Sequence, residues 1–219
     1  MIKEAMKKEY KKILPGYEEQ LLKELRNVRS ILDVGCGKSS PLKLITENVY
    51  KVGIDIFKPA LLKSKTSKIH DKYYCANVMQ IDKYFQPKQF DCVVALDLIE
   101  HLDKNGGLEL IRKMEKIAKK KVIIFTPNGF ISQGAHSFVA QDGYVNKYQE
   151  HKSGWTVNEF KKLGYFVSGM NGLINLRTLK SQIKFKPRLL WLMISDLTQL
   201  FVRNKPQYAY QLFCVKKLE

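Results

Sequence analysis

Gly35 and Gly37 bracket Cys36 directly after the run Ser30-Ile31-Leu32-Asp33-Val34. Glycine is needed where a ligand must lie against bare backbone, so the pair reads as a nucleotide-binding turn. Asp55, in Gly53-Ile54-Asp55-Ile56, stands where a carboxylate at the end of a second strand can accept both hydroxyls of a ribose. Asp33 adds negative charge beside the turn, suited to a ligand that carries an ammonium and a sulfonium group. His101 and His151 are imidazoles able to exchange a proton near neutral pH, and each is a candidate to take a proton from a substrate hydroxyl or to orient it.

These groups need a scaffold that delivers them to one place. Two apolar residues, an acid and Val34 before Gly-x-Gly predict a buried strand ending in a tight turn, and Ser40-Pro41 offers an N-cap with proline at the first helical position. A short helix over Pro41 to Glu47, a strand over Tyr50 to Ile56, a helix over Pro59 to Lys68 and a strand over Lys72 to Val78 follow. Phe90 to Leu98 is almost continuously apolar, as a central parallel strand covered on both faces requires, and Asp97 interrupts it only at the carboxyl end. The alternation predicts an α/β fold, a doubly wound, mostly parallel Rossmann-like sheet with helices on both faces. The third glycine of the dinucleotide fingerprint is missing, with Ser40 in its place, so a pyrophosphate is poorly provided for and nicotinamide binding loses ground.

Leu32-Asp33-Val34-Gly35-Cys36-Gly37, then Gly53-Ile54-Asp55, then Phe90 through Leu102 resemble the successive motifs of class I S-adenosylmethionine-dependent methyltransferases. The resemblance spans roughly residues 28 to 170 and is nearest to the small-molecule branch that includes quinone-biosynthesis methyltransferases. It implies a seven-stranded sheet with an antiparallel last strand at the edge, and S-adenosyl-L-methionine as cofactor. It also implies a cofactor site of Asp33, Gly35, Gly37, Asp55, Ile56, Asn77, Val78 and Asp97, with Asp97 beside the methionine moiety and the transferring methyl. Asn77 replaces the acid that usually receives the adenine amino group, and its amide oxygen can accept that bond. A histidine shortly before the helix start at Trp155 borders the active site in such enzymes, which places His151 level with His101.

Elsewhere the chain reads as supporting structure. Residues 2 to 28 predict two amphipathic helices broken at Pro15-Gly16, a pre-domain that closes over the cofactor mouth or packs on the sheet edge. Gly106 to Ala118 carries a helical apolar stripe, Lys119-Lys120-Lys121 reads as its solvated end, and Val122 to Phe125 as the fifth strand. From Phe130 to Lys152 periodicity vanishes while Gln133, His136, Gln141, Tyr144, Tyr148, Gln149 and His151 accumulate, the composition of a substrate-facing lid. Thr156 and Glu159 form a capping box, and Tyr165 to Met170 the sixth strand. Arg188 to Arg203 is apolar between basic ends: a cap over a substrate pocket, a helix lying on an anionic membrane, or a dimer contact. The last strand runs from Tyr208 to Val215. The segments are therefore a helical extension (1–28), a cofactor-binding core (29–175), a helical insertion (176–206) and the last strand (207–219), all within a single domain.

The chain has 219 residues, 45% of them hydrophobic, enough for one sizeable core. Met1 to Lys12 is rich in lysine and glutamate, unlike a signal peptide, and no run of eighteen apolar residues occurs, so a cytoplasmic protein is expected. Cys36, Cys75, Cys92 and Cys214 are scattered, and no cluster with metal-ligand spacing is visible. Net charge is +17, and from Arg177 to Glu219 nine Lys or Arg face two acids. That excess attracts nucleic acid, an anionic membrane or a polyanionic substrate. Ala95-Leu96-Asp97-Leu98 lacks the Asn/Asp-Pro-Pro-aromatic motif of base-amine methylases. The leading expectation is methyl transfer to a small-molecule acceptor, with RNA or protein methylation kept open by the charge, and a non-catalytic S-adenosylmethionine-binding or nucleic-acid-binding module as the contrasting class.

Overall fold

The computed structural model describes residues 16–132, 146–178 and 182–218. The expected helix before Pro15, and Gln133, His136, Gln141 and Tyr144 of the expected lid, lie outside the described residues. The chain passes through α1 (Tyr17–Glu24), β1 (Ser30–Val34), a 3-10 turn (Pro41–Leu44), β2 (Tyr50–Asp55), α2 (Lys58–Thr66), β3 (Lys72–Cys75) and α3 (Ile81–Tyr84). β4 (Phe90–Leu96), α4 (Lys104–Ile117), β5 (Ala118–Pro127), α5 (Val157–Lys162) and β6 (Phe166–Leu173) follow, then α6 (Arg188–Leu197), α7 (Gln199–Asn204) and β7 (Ala209–Lys217).

The seven strands form one sheet in the order β3-β2-β1-β4-β5-β7-β6. β3, β2, β1, β4 and β5 are mutually parallel, and β7 runs antiparallel to both β5 and β6. Alternating side chains feed two cores. Leu32, Val93 and Ile124 pack on one face with α4 and the ring of Trp155. Ile31, Val94 and Ile123 pack on the other with Leu21 and Leu25. Both faces are covered, which is why β4 is apolar along its length. The direction of winding reverses between β1 and β4, and a crevice opens there at the carboxyl ends of the strands.

Several expectations need correction. The last strand is antiparallel but does not lie at the edge. Leu212, Phe213 and Cys214 are buried, so β7 is driven between β5 and β6, and β6 takes the edge with Phe166 71% exposed. The lysine run is not a helix end. Ala118 already has extended backbone, and Lys120 and Lys121 lie on β5, bound to Asp91 at 2.9 Å and to Glu24 at 3.4 Å. Ser40 does cap through its hydroxyl, which accepts from the Leu42 amide at 3.3 Å, but Ile45 is extended, so the strand delivers its turn to one 3-10 turn and not to a helix. β3 stops at Cys75, because Asn77 caps another 3-10 turn at Val78–Gln80. Cys36, Cys92 and Cys214 are buried and Cys75 is exposed. The capping box on α5 forms as expected.

Residues 188–203 are not one helix capping a pocket. They divide at Thr198 into α6 and α7, which pack on β6 and contribute no residue to the crevice at β1 and β4. No described helix is long and apolar enough to cross a membrane.

Candidate active site

A cavity of about 990 Å³ fills the crevice. Its floor is the turn after β1, where Gly35 and Gly37 adopt φ of +71° and +56°, the left-handed region that other residues enter only with strain. A Cβ on Gly35 would strike the Leu98 side chain at 2.6 Å, whereas one on Gly37 would meet nothing within 4 Å. Gly35 is thus glycine for packing and φ. Gly37 is glycine for φ alone and leaves its face open to the cavity.

Asp55 sits at the end of β2 and ties this floor together. Its Oδ2 accepts from the Gly37 amide at 2.8 Å and its Oδ1 from the Phe57 amide at 2.7 Å. Burial raises its carboxyl, and those two amides partly offset the rise. Each oxygen keeps a second lone pair for a ribose hydroxyl. Ile56, next along, offers apolar surface to the cavity, with Val78 opposite. Asn77 lines the same wall, and its side-chain oxygen accepts from the Met79 amide at 2.9 Å as the cap of a 3-10 turn, keeping a second lone pair.

Asp33 also lines the cavity, though in another capacity than expected. Its carboxylate is 1% exposed, and Oδ2 lies 2.8 Å from His70 Nε2. It is a charge held beneath the turn, not an open ligand arm. His70 is its partner because Gly53 leaves room: a Cβ there would meet the imidazole at 3.1 Å.

Asp97 supplies the open carboxylate. It follows β4 with φ +51°, a conformation that turns its side chain toward Gln211 of β7, whose Nε2 donates to Oδ1 at 3.0 Å. The residue lines the cavity and is exposed, and desolvation of its carboxyl by the surrounding protein pushes it up to about 6. Glu100 is buried behind it, raised well above the usual carboxylate range by burial and then by Asp97, and accepts from the Thr126 hydroxyl at 3.0 Å. Two carboxyls served by one amide and one hydroxyl form a site short of positive charge.

The structure brings His101 and His151 together across fifty residues, with ring centroids 4.9 Å apart. His101 Nδ1 lies 3.2 Å from Glu150 O, and His151 Nδ1 lies 2.7 Å from Ile131 O. A carbonyl only accepts, so His151 carries its proton on Nδ1 and keeps the Nε2 lone pair, whereas the His101 ring has backbone carbonyls of both Glu150 and Asp97 to donate to. Burial lowers both imidazoles, that of His101 down to about 4. Glu100, His101 and His151 each present a ligand atom within 4.8 Å of the others, a donor set that could hold a divalent cation. Sequence spacing showed no such cluster, because its parts meet only when the Lys152 and Ser153 amides bind Glu100 O at 2.7 and 3.1 Å. A small cavity of about 220 Å³ lies among these groups and shares Asp97, His101 and Gln149 with the larger one.

Sequence reasoning missed Tyr17, Glu100 and Gln211. Tyr17 reaches the cavity from α1 and stacks on Phe125 at 4.1 Å. Only the adjacency of Glu100 to His101 gave a signal.

Residues 32–126 match the family described as a methyltransferase domain. An uncharacterized protein of Methanocaldococcus jannaschii is 28% identical over 106 residues, 48% of this chain and 44% of that one, so the chain spans less than half the length of this curated relative. A S-adenosylmethionine-dependent methyltransferase from Archaeoglobus fulgidus superposes with a TM-score of 0.58 at 17% identity, covering 95% of this chain and 98% of that one. The small RNA methyltransferase HEN1 superposes at 0.56 and 18% identity, covering 90% of this chain and 25% of that one. The family match takes in the glycine turn, Asp55 and Asp97, and the superpositions extend the likeness in fold over nearly the whole chain.

Proposed function

We propose that the chain is a methyltransferase that moves the methyl group of S-adenosylmethionine to a small-molecule acceptor by in-line displacement. The observation that carries this reading is the convergence of Gly37, Asp55 and Asp97 on one cavity. The ribose hydroxyls would meet Asp55, the adenine would lie between Ile56 and Val78, and the ammonium and sulfonium charges would offset the carboxylate of Asp97. Asp33 contributes its charge from below. Because the sulfonium is already an activated leaving group, the protein has to align the nucleophile, exclude water and manage one proton.

His101 and His151 stand at the acceptor end, where the Nε2 lone pair of His151 is available to a hydroxyl proton or to a cation that acidifies that hydroxyl, and His101 packs beside it. The size of the adjoining 220 Å³ space supports a small acceptor group, and the resemblance to quinone-biosynthesis enzymes points the same way. The chain reads as a single methyltransferase domain with extension 1–28 and insertion 176–206. Four unpaired thiols suit a reducing, cytoplasmic setting.

Calorimetry with S-adenosylmethionine, joined to mass spectrometry of whatever copurifies in the cavity, tests the reading. Saturable binding at one site is expected, and its absence would leave only the fold. Net charge of +17 and the likeness to a small RNA methyltransferase favour RNA as the alternative acceptor. The intact cofactor floor speaks against a non-catalytic module.

A further inference from the structure

Helices α6 and α7 have their polarity reversed relative to an ordinary surface helix. Ser195, Gln199 and Val202 form the stripe that faces the sheet and is buried. Leu189, Met193 and Leu197, on the opposite stripe, are 72%, 57% and 59% exposed, and Leu200 and Phe201 continue the exposed surface. Polar bonds hold the inner side. Gln199 Nε2 donates to Gly169 O at 2.9 Å, the Leu173 amide donates to Thr198 Oγ1 at 3.0 Å, and Arg177 Nη2 lies 3.3 Å from Ser195 Oγ. Close backbone approach completes the fit, since a Cβ on Gly169 would meet Val202 O at 2.2 Å and one on Gly172 would meet Ser195 O at 2.5 Å.

The protein therefore occupies the hydrophilic side of the pair and leaves the apolar side at the surface. Phe185, packed on Trp191 at 4.7 Å, and Tyr208, stacked on Phe201 at 5.8 Å, widen that surface at its two ends. A contiguous apolar face of this kind marks an interaction site.

Charge decides what covers it. From Lys184 to Lys205 the chain carries Lys184, Lys186, Arg188, Arg203 and Lys205 against the single acid Asp196, and the bases stand at both ends of the apolar stretch. A second copy would bring the same basic rim against itself in a chain of net charge +17. An anionic headgroup layer answers both features, with the leucines at the acyl boundary and the basic ends among phosphates. From Arg188 to Asn204 the pair extends about 25 Å, suited to lying in the plane of the interface.

We propose that α6 and α7 dock this protein on anionic lipid bilayers, with Leu189, Met193, Leu197 and Leu200 entering the acyl boundary. α7 leads through Pro206–Tyr208 into β7, whose Gln211 touches Asp97.

Flotation of the full chain with phosphatidylcholine vesicles, with and without phosphatidylglycerol, tests the proposal. Recovery with the anionic vesicles should exceed that with the neutral ones at least about tenfold. The variant Leu189→Ser/Met193→Ser/Leu197→Ser should lose the recovery while its unfolding temperature and S-adenosylmethionine affinity stay unchanged. Lys184→Gln/Lys186→Gln/Arg188→Gln, altered only at exposed positions, should reduce it without touching the apolar stripe. Equal recovery with both vesicle types, undiminished recovery of the serine variant, or a dimer in sedimentation velocity that the serine variant dissolves would each overturn it. None of these outcomes depends on methyl transfer.

Discussion

Gln211 Nε2 donates to Asp97 Oδ1 across 3.0 Å, joining the antiparallel strand β7 to the left-handed corner that follows β4. The bond is one reason the corner holds its shape. It also fixes which way the Asp97 carboxylate points at the cavity.

Protonation at that corner has a definite sign. The folded carboxyl of Asp97 lies at about 6 against an ordinary 3.8, so ionising it costs the folded state. Its favourable contribution is full below the ordinary value and is lost as pH rises through about 6. Asp97→Asn should therefore raise the unfolding temperature at pH 8 and change it little at pH 4. Affinity for S-adenosylmethionine, which is cationic at the sulfonium, should increase as pH rises through about 6 in the parent, and Asp97→Asn should flatten that dependence in calorimetry. A parent affinity indifferent to pH would remove Asp97 from the cofactor site.

Asp55 bridges two backbone amides at the cavity and is the proposed ribose contact. Asp55→Ala should weaken S-adenosylmethionine binding at least about tenfold, or about 1.4 kcal/mol, in isothermal titration. Equal affinity in the variant would discredit the ribose contact.

For the histidine pair, His101→Ala and His151→Ala should lose turnover and keep cofactor affinity. Undiminished rates in both would take them out of the reaction. Manganese titrated into the parent should bind with one equivalent if Glu100, His101 and His151 act as ligands, and Glu100→Gln should abolish that binding. If the parent binds none and chelator leaves turnover intact, the imidazoles act on the acceptor directly.

Salt separates RNA from a small acceptor. Contacts to several phosphates produce a steep fall of log affinity with log salt. The small-molecule reading expects a flat response of turnover to salt and no tight polyanion complex. A steep slope coupled to methyl transfer onto RNA would reverse the order of the two readings.

The parts of the site that were legible in the sequence are those that act locally. Gly35, Gly37 and Asp55 are placed by the ends of their own strands, and strand ends show as apolar runs that stop at an acid or a glycine. What the sequence hid depends on partners far along the chain. Lys120 and Lys121 look like solvated lysines until Asp91 and Glu24 are seen beside them. The place of β7 follows from burial on both faces of the sheet, which no local pattern distinguishes from an edge strand. The cap that Asn77 makes to the Met79 amide depends on a 3-10 turn that the apolar pattern around it does not show. α6 and α7 misled because hydropathy reports that a face is apolar and not which way it points.

Tyr17, stacked on Phe125 at 4.1 Å, belongs to a segment upstream of the residues that match the methyltransferase domain. Trimming the chain to its sheet would strip Tyr17 from the wall of the cavity. The leader is in that sense a fitted shutter, and two proteins with the same core but different leaders would hold the same donor with different grip.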